Sequence, residues 1–109
     1  MPQMPLEIDV TKLKAMIDAG ETFMLLDVRE KDEYTRAHIE GSKLIPLGAL
    51  PSRISEVTKD LPLVVHCHHG GRSMKAVSWL RQNGFTQASN LKGGIDEWAV
   101  TIDHSVARY

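Results

Sequence analysis

Cysteine is almost missing from this chain of 109 residues, which carries only Cys67. One thiol cannot close an internal disulfide, which excludes a disulfide-stapled scaffold and suits a reducing compartment, the cytoplasm. An excess of charge is missing too. The 13 Lys and Arg nearly balance the 14 Asp and Glu, for a formal net charge of -1. Both signs are mixed along the chain, which argues against a nucleic-acid or polybasic membrane surface. No apolar run approaches the length of a membrane span. The opening Met1-Pro2-Gln3-Met4-Pro5 has neither the basic region nor the apolar stretch of a secretory signal. Repeats and low-complexity tracts are also lacking. The expectation is one domain over residues 1–109, able to bury roughly 65% of its unfolded surface in a real core.

What is present alternates between strand and helix signals. Residues 1–6, with two prolines, read as an irregular lead-in, and Glu7-Ile8 as a short edge strand. Asp9 is placed to cap a helix from about Val10 to Ala19, stopped by Gly20, with Leu13, Met16 and Ile17 on one face. Residues 22–28 form an apolar, central strand ending in Asp27-Val28-Arg29. Glu30 to Ala37 reads as a short helix with Tyr34 and Ala37 inward. Leu44-Ile45-Pro46 is an edge strand closed by proline, and Ser52 to Thr58 is helical. Leu63-Val64-Val65 is a buried strand, and Ser73 to Arg81 a helix with Ala76, Val77 and Leu80 inward. Phe85 folds back past the Asn83-Gly84 stop. Ala88 to Leu91 is a weak strand and residues 95–99 a terminal helix, while residues 100–109 show no period. Trp79 and Trp98 read as packing residues. Such alternation predicts an α/β fold with a parallel sheet covered on both sides.

The chemistry concentrates in Leu63-Val64-Val65-His66-Cys67-His68-His69-Gly70-Gly71-Arg72-Ser73. A strand turning sharply into a helix gathers backbone N–H groups in a small bowl, and the helix terminus adds partial positive charge. A thiol in that bowl is stabilised as thiolate. Gly70 permits a backbone conformation that a side chain forbids. Gly71 either does the same or leaves room above the sulfur. Ser73 either caps the helix or donates to the sulfur. His66 ends its strand and reads as structural. His68 and His69 either line the mouth, adding positive charge below about pH 6.5, or are plain exposed loop residues. Consecutive histidines do not converge on one tetrahedral ion and no second ligand pair follows, so neither a metal nor a cofactor is expected.

The pattern C-x-x-G-x-R-S resembles the active-site loop of the rhodanese-like sulfurtransferases. Leu26-Asp27-Val28-Arg29 with Glu33-Tyr34, His38 to Ser42, Ile45-Pro46-Leu47, and Asn90 to Trp98 extend the resemblance over nearly the whole chain. The ending Arg108-Tyr109 is similar to rhodanese domains fused to the adenylyltransferases that activate sulfur carriers. The resemblance implies a rhodanese-like α/β domain with a five-stranded, mostly parallel sheet and helices on both faces. It implies that Cys67 carries a persulfide, taking sulfane sulfur from thiosulfate or a persulfide donor and passing it to a thiophilic acceptor. His68, His69, Gly70, Gly71, Arg72 and Ser73 would form the substrate-binding loop. Arg72 would either hold the sulfonate of thiosulfate or turn inward to brace the loop through Asp27 or a carbonyl. Asp27 and Arg29 would bracket the loop by hydrogen bonds, against the alternative of an exposed surface pair. The implied partners are a small sulfur-containing anion and a protein sulfur donor or acceptor. The related dual-specificity phosphatase loop is one residue longer, so this one is sized for sulfur, not phosphate. A persulfide relay with little thiosulfate activity is the alternative.

Overall fold

In the computed structural model, which describes residues 4–109, strand ends meet helix starts along one edge of a five-stranded sheet. The strands are β1 (Glu7–Ile8), β2 (Met24–Asp27), β3 (Lys43–Leu44), β4 (Leu63–His66) and β5 (Ala88–Leu91). Their spatial order is β1-β5-β4-β2-β3. All four pairings are parallel, one step beyond the mostly parallel sheet expected. The helices are α1 (Val10–Asp18), α2 (Lys31–Arg36), α3 (Gly71–Gln82) and α4 (Gly94–Thr101). Two 3-10 segments, Leu47–Ala49 and Pro51–Glu56, replace the helix expected over 52–58. Of the lead-in expected over residues 1–6, residues 1–3 lie outside the described residues. No helix among the described residues is long and apolar enough to cross a membrane.

The two-residue period of β2 and β4 sorts their side chains onto opposite faces. Leu26, Leu63 and Val65 join Ala76, Val77 and Leu80 of α3 in one core. Leu25 and Val64 join Leu13 and Met16 of α1 and Ile95 and Trp98 of α4 in the other. A strand covered on both sides must be apolar at successive positions, as Leu63-Val64-Val65 is. Each fully buried Leu, Ile or Val contributes about 1.5–3 kcal/mol, so these two layers hold the sheet edge rigid.

Asp9 caps α1 as expected, accepting from the Lys12 amide at 2.8 Å. Ile17 departs from expectation: it is 39% exposed, and the buried face of α1 is made by Val10, Leu13 and Met16. In α2 no residue is buried. Ala37 is, but it follows the helix in extended conformation. Phe85 folds back into the α3 core as the Asn83-Gly84 stop requires.

Candidate active site

The parallel sheet puts the ends of β2, β4 and β5 side by side, so Asp27 to Arg29, Cys67 to Gly70 and Lys92 to Gly94 meet at one edge. Carboxyl ends of parallel strands are where such sheets place their chemistry. The loop between β4 and α3 is pinned from outside by α4. The Ile95 and Asp96 amides donate to the Cys67 and His68 carbonyls at 3.0 and 3.1 Å. With those carbonyls turned out, the loop's own amides turn in.

Gly70 makes the turn at φ +119°, a left-handed conformation that favours glycine. Gly71 takes no such conformation; it opens α3 with open space at its missing Cβ. Inside the turn, the Cys67 sulfur accepts from the Gly70 amide at 3.1 Å and from the Ser73 amide and hydroxyl at 3.4 Å. Burial pushes the Cys67 thiol up, but the Ser73 hydroxyl and the Ser73, Gly70 and Arg72 amides outweigh it, and its pKa lies below the ordinary value. The residue is only 2% exposed.

Ser73 does not cap α3, which has no side-chain cap. Its hydroxyl proton serves two acceptors, Sγ and the closer Asn90 Oδ1, while the Asn90 amide nitrogen donates to Glu7 at 2.9 Å. The Ser73 hydroxyl, the largest single contribution to the lowered Cys67 pKa, is thus shared with Asn90, and the backbone amides add to it.

Arg72 turns aside from the thiol to a bidentate pair with Glu33, at 2.7 and 2.8 Å. The bracing partner named from sequence, Asp27 or a carbonyl, is therefore corrected to Glu33. Asp27 is already committed: its carboxylate accepts from the Arg29 backbone at 3.0 Å and from the Arg29 guanidinium at 2.7–3.1 Å. Both side chains are fully buried, so this is not a surface pair. Removing one partner from such a pair typically costs about 3–5 kcal/mol. Arg29 also donates to the Ala37 carbonyl at 2.7 Å and to the Tyr109 hydroxyl at 2.8 Å. The Tyr109 hydroxyl in turn donates to Glu33 at 2.8 Å. Arg29 thus reaches the cysteine loop through Tyr109, Glu33 and Arg72.

Of residues 100–109, without period in the sequence, Val100 and Thr101 extend α4, and 102–109 return to this edge. Arg108 pairs with Asp96 at 2.9 Å. The Tyr109 ring stacks on His68 with centroids 4.1 Å apart, and His68 stacks on His69 at 4.0 Å. Burial and the neighbouring His69 hold the His68 pKa below its usual value, which opposes the cationic mouth considered from sequence. His69 is exposed, with Nδ1 3.9 Å from Asp96. His66 is fully buried with neither ring nitrogen partnered among the described residues; Nε2 lies 3.8 Å from Asp27. The three histidines face different surroundings, and among the described residues no cluster of His, Cys, Asp and Glu is placed to hold a metal ion. Sequence reasoning missed Glu33, Asn90, Gly94 and Tyr109 as residues of the site. A thiolate cradle of this kind can attack an electrophilic sulfur and hold the resulting anion.

Comparison with known proteins matches the rhodanese-like domain model over residues 9–101. The putative sulfur carrier protein YrkF of Bacillus subtilis is 36% identical over 84% of this chain. This chain spans half the length of that protein. The thiosulfate sulfurtransferase GlpE of Stutzerimonas stutzeri is 34% identical, over 84% of this chain and 83% of its own. A crystal structure from Staphylococcus saprophyticus superposes with a TM-score of 0.82 at 31% identity, covering 94% of this chain and 99% of that one.

Proposed function

The chain belongs to the family of rhodanese-like domains, and on that premise we propose that it is a sulfurtransferase working through a persulfide on Cys67. The thiolate attacks the outer sulfur of thiosulfate; a new S–S bond forms, the old one breaks, and sulfite leaves with the electron pair. An acceptor such as cyanide then attacks the terminal sulfur, which leaves as thiocyanate and returns Cys67 to thiolate. With a persulfide donor R–S–SH, the products of the first step are Cys67–S–SH and R–S⁻. Two half-reactions on one nucleophile give ping-pong kinetics.

The observation that carries the reading is the convergence of Gly70 and Ser73 donors on one sulfur, 3.1–3.4 Å away. The same donors suit a terminal persulfide anion, which carries its charge one atom further out. His68, His69, Gly70, Gly71, Arg72 and Ser73 form the loop around that sulfur, and the buried Asp27–Arg29 pair supports it from the end of β2. A lone thiol that must stay reduced between cycles fits the cytoplasm. The sulfur-carrier name of one relative favours a second reading, a relay that takes persulfide sulfur from a protein donor.

Mass spectrometry of the reduced protein after incubation with thiosulfate tests the first reading. The protein should gain one sulfur atom, cyanide should remove it, and Cys67→Ser should not gain it. Equal uptake by Cys67→Ser would overturn the assignment.

A further inference from the structure

Three arginines lie at the sheet edge around Cys67, and each has its own carboxylate. Arg29 is held by Asp27, Arg108 by Asp96, and Arg72 by Glu33. Of the three, Arg72 alone lies within the cysteine loop. Its guanidinium spends two N–H donors on the two Glu33 oxygens, in the fork-to-fork geometry that binds carboxylates best. Glu33 is held in turn. Its Oε1 also accepts from the Glu30 amide at 3.1 Å at the start of α2, and its Oε2 accepts from the Tyr109 hydroxyl at 2.8 Å. Tyr109 is fixed by its stack on His68 and by Arg29.

This arrangement has a consequence for the donor. Thiosulfate brings two negative charges towards a thiolate, and that approach needs an unspent cation. Here the loop's own guanidinium is already paired bidentately with a carboxylate, and the Arg72 hydrogen bonds hold the Glu33 pKa down at about 2. A persulfide with an uncharged organic group carries at most one negative charge and requires no sulfonate subsite. Resting on the sulfurtransferase reading, we propose that Glu33, positioned by Tyr109, is a specificity-determining residue: by occupying Arg72 it selects organic persulfides over dianionic thiosulfate as sulfur donors. Attack on R–S–SH joins the terminal sulfur to Cys67, breaks the donor S–S bond and expels R–S⁻, with the proton remaining on the transferred sulfur. No oxidant or reductant is consumed.

The test compares kcat/KM for thiosulfate and for 2-hydroxyethyl persulfide in the intact chain, in Glu33→Gln and in Tyr109→Phe. Glutamine keeps an acceptor for the Glu30 amide, and phenylalanine keeps the stack on His68. The wild-type protein should favour the persulfide by at least about tenfold. Glu33→Gln should lower KM for thiosulfate roughly fivefold to tenfold with little change in kcat, shrinking that preference. Tyr109→Phe should move it the same way by less. An unchanged donor ratio in both variants, with thermal melts confirming that they are folded, would overturn the inference while leaving the sulfurtransferase reading intact. Loading of Cys67 by neither donor would overturn both.

Discussion

Gly94 lies against the Cys67 carbonyl so closely that a methyl group there would come within 2.5 Å of both the Cys67 and His68 carbonyl oxygens. Those are the oxygens that the α4 amides bind. The absence of one side chain therefore fixes which way the cysteine loop faces.

Gly94→Ala should accordingly be among the most damaging single substitutions. Its φ of +59° is strained for alanine, and the clash is with backbone, which has little freedom to yield. The cost should be about 2–4 kcal/mol, a drop in Tm on the order of 10–20 °C. Gly71→Ala is the control. With ordinary helical backbone and open space, it should be neutral or stabilising by up to about 1 kcal/mol. Thermal melts of the two variants check the contrast, and equal destabilisation would refute it.

Acid should release the Arg72 clamp. Glu33 has a folded pKa of about 2 against an ordinary value of 4.5. Its contribution is therefore full above pH 4.5 and is lost as pH falls towards 2. Arg72 is 37% exposed, so screening cuts the contribution to about 1 kcal/mol. Glu56 is also lowered to about 2 by Arg53 and Lys43, so total acid sensitivity does not isolate Glu33. The difference in urea stability between wild type and Glu33→Gln does, and it should shrink between pH 4.5 and pH 2.

His66 should impose a pH slope of the opposite origin. Burial holds its ring neutral in the fold, with its pKa below the ordinary value, although Asp27 opposes this. The unfolded chain takes up a proton near pH 6.5 that the folded chain refuses. Stability should therefore rise through His66 as pH increases from about 5 to 7. His66→Leu should flatten that rise in urea titrations. An unchanged slope would place the proton uptake elsewhere.

How far the sequence reaches depends on distance along the chain. The β4–α3 turn, the Asp9 cap and the α3 core face are set by neighbours a few residues apart, so period and spacing revealed them. The Arg72 partner was not readable: Glu33 is 39 positions away and belongs to a helix with no buried residue of its own. Asp27, at the end of the neighbouring strand, is the carboxylate that sheet order suggests, but Arg29, two residues on, saturates it. Tyr109 gave no periodic signal because it follows α4 in irregular chain and is fixed by its ring and hydroxyl alone. In sequence, Gly93-Gly94 is indistinguishable from an ordinary turn; only the packed α4 terminus shows that Gly94 is required by close approach.

Sulfur transfer at this site depends on Cys67 being stabilised as thiolate by the amides of its own loop. Cys67 is the only thiol in the protein, so the pH dependence of its alkylation by iodoacetamide reports that sulfur without interference. The rate should reach its plateau with an apparent pKa below the value near 8.5 of a free thiol. A midpoint at or above 8.5 would show that burial outweighs the Gly70, Arg72 and Ser73 donors, and would contradict the account.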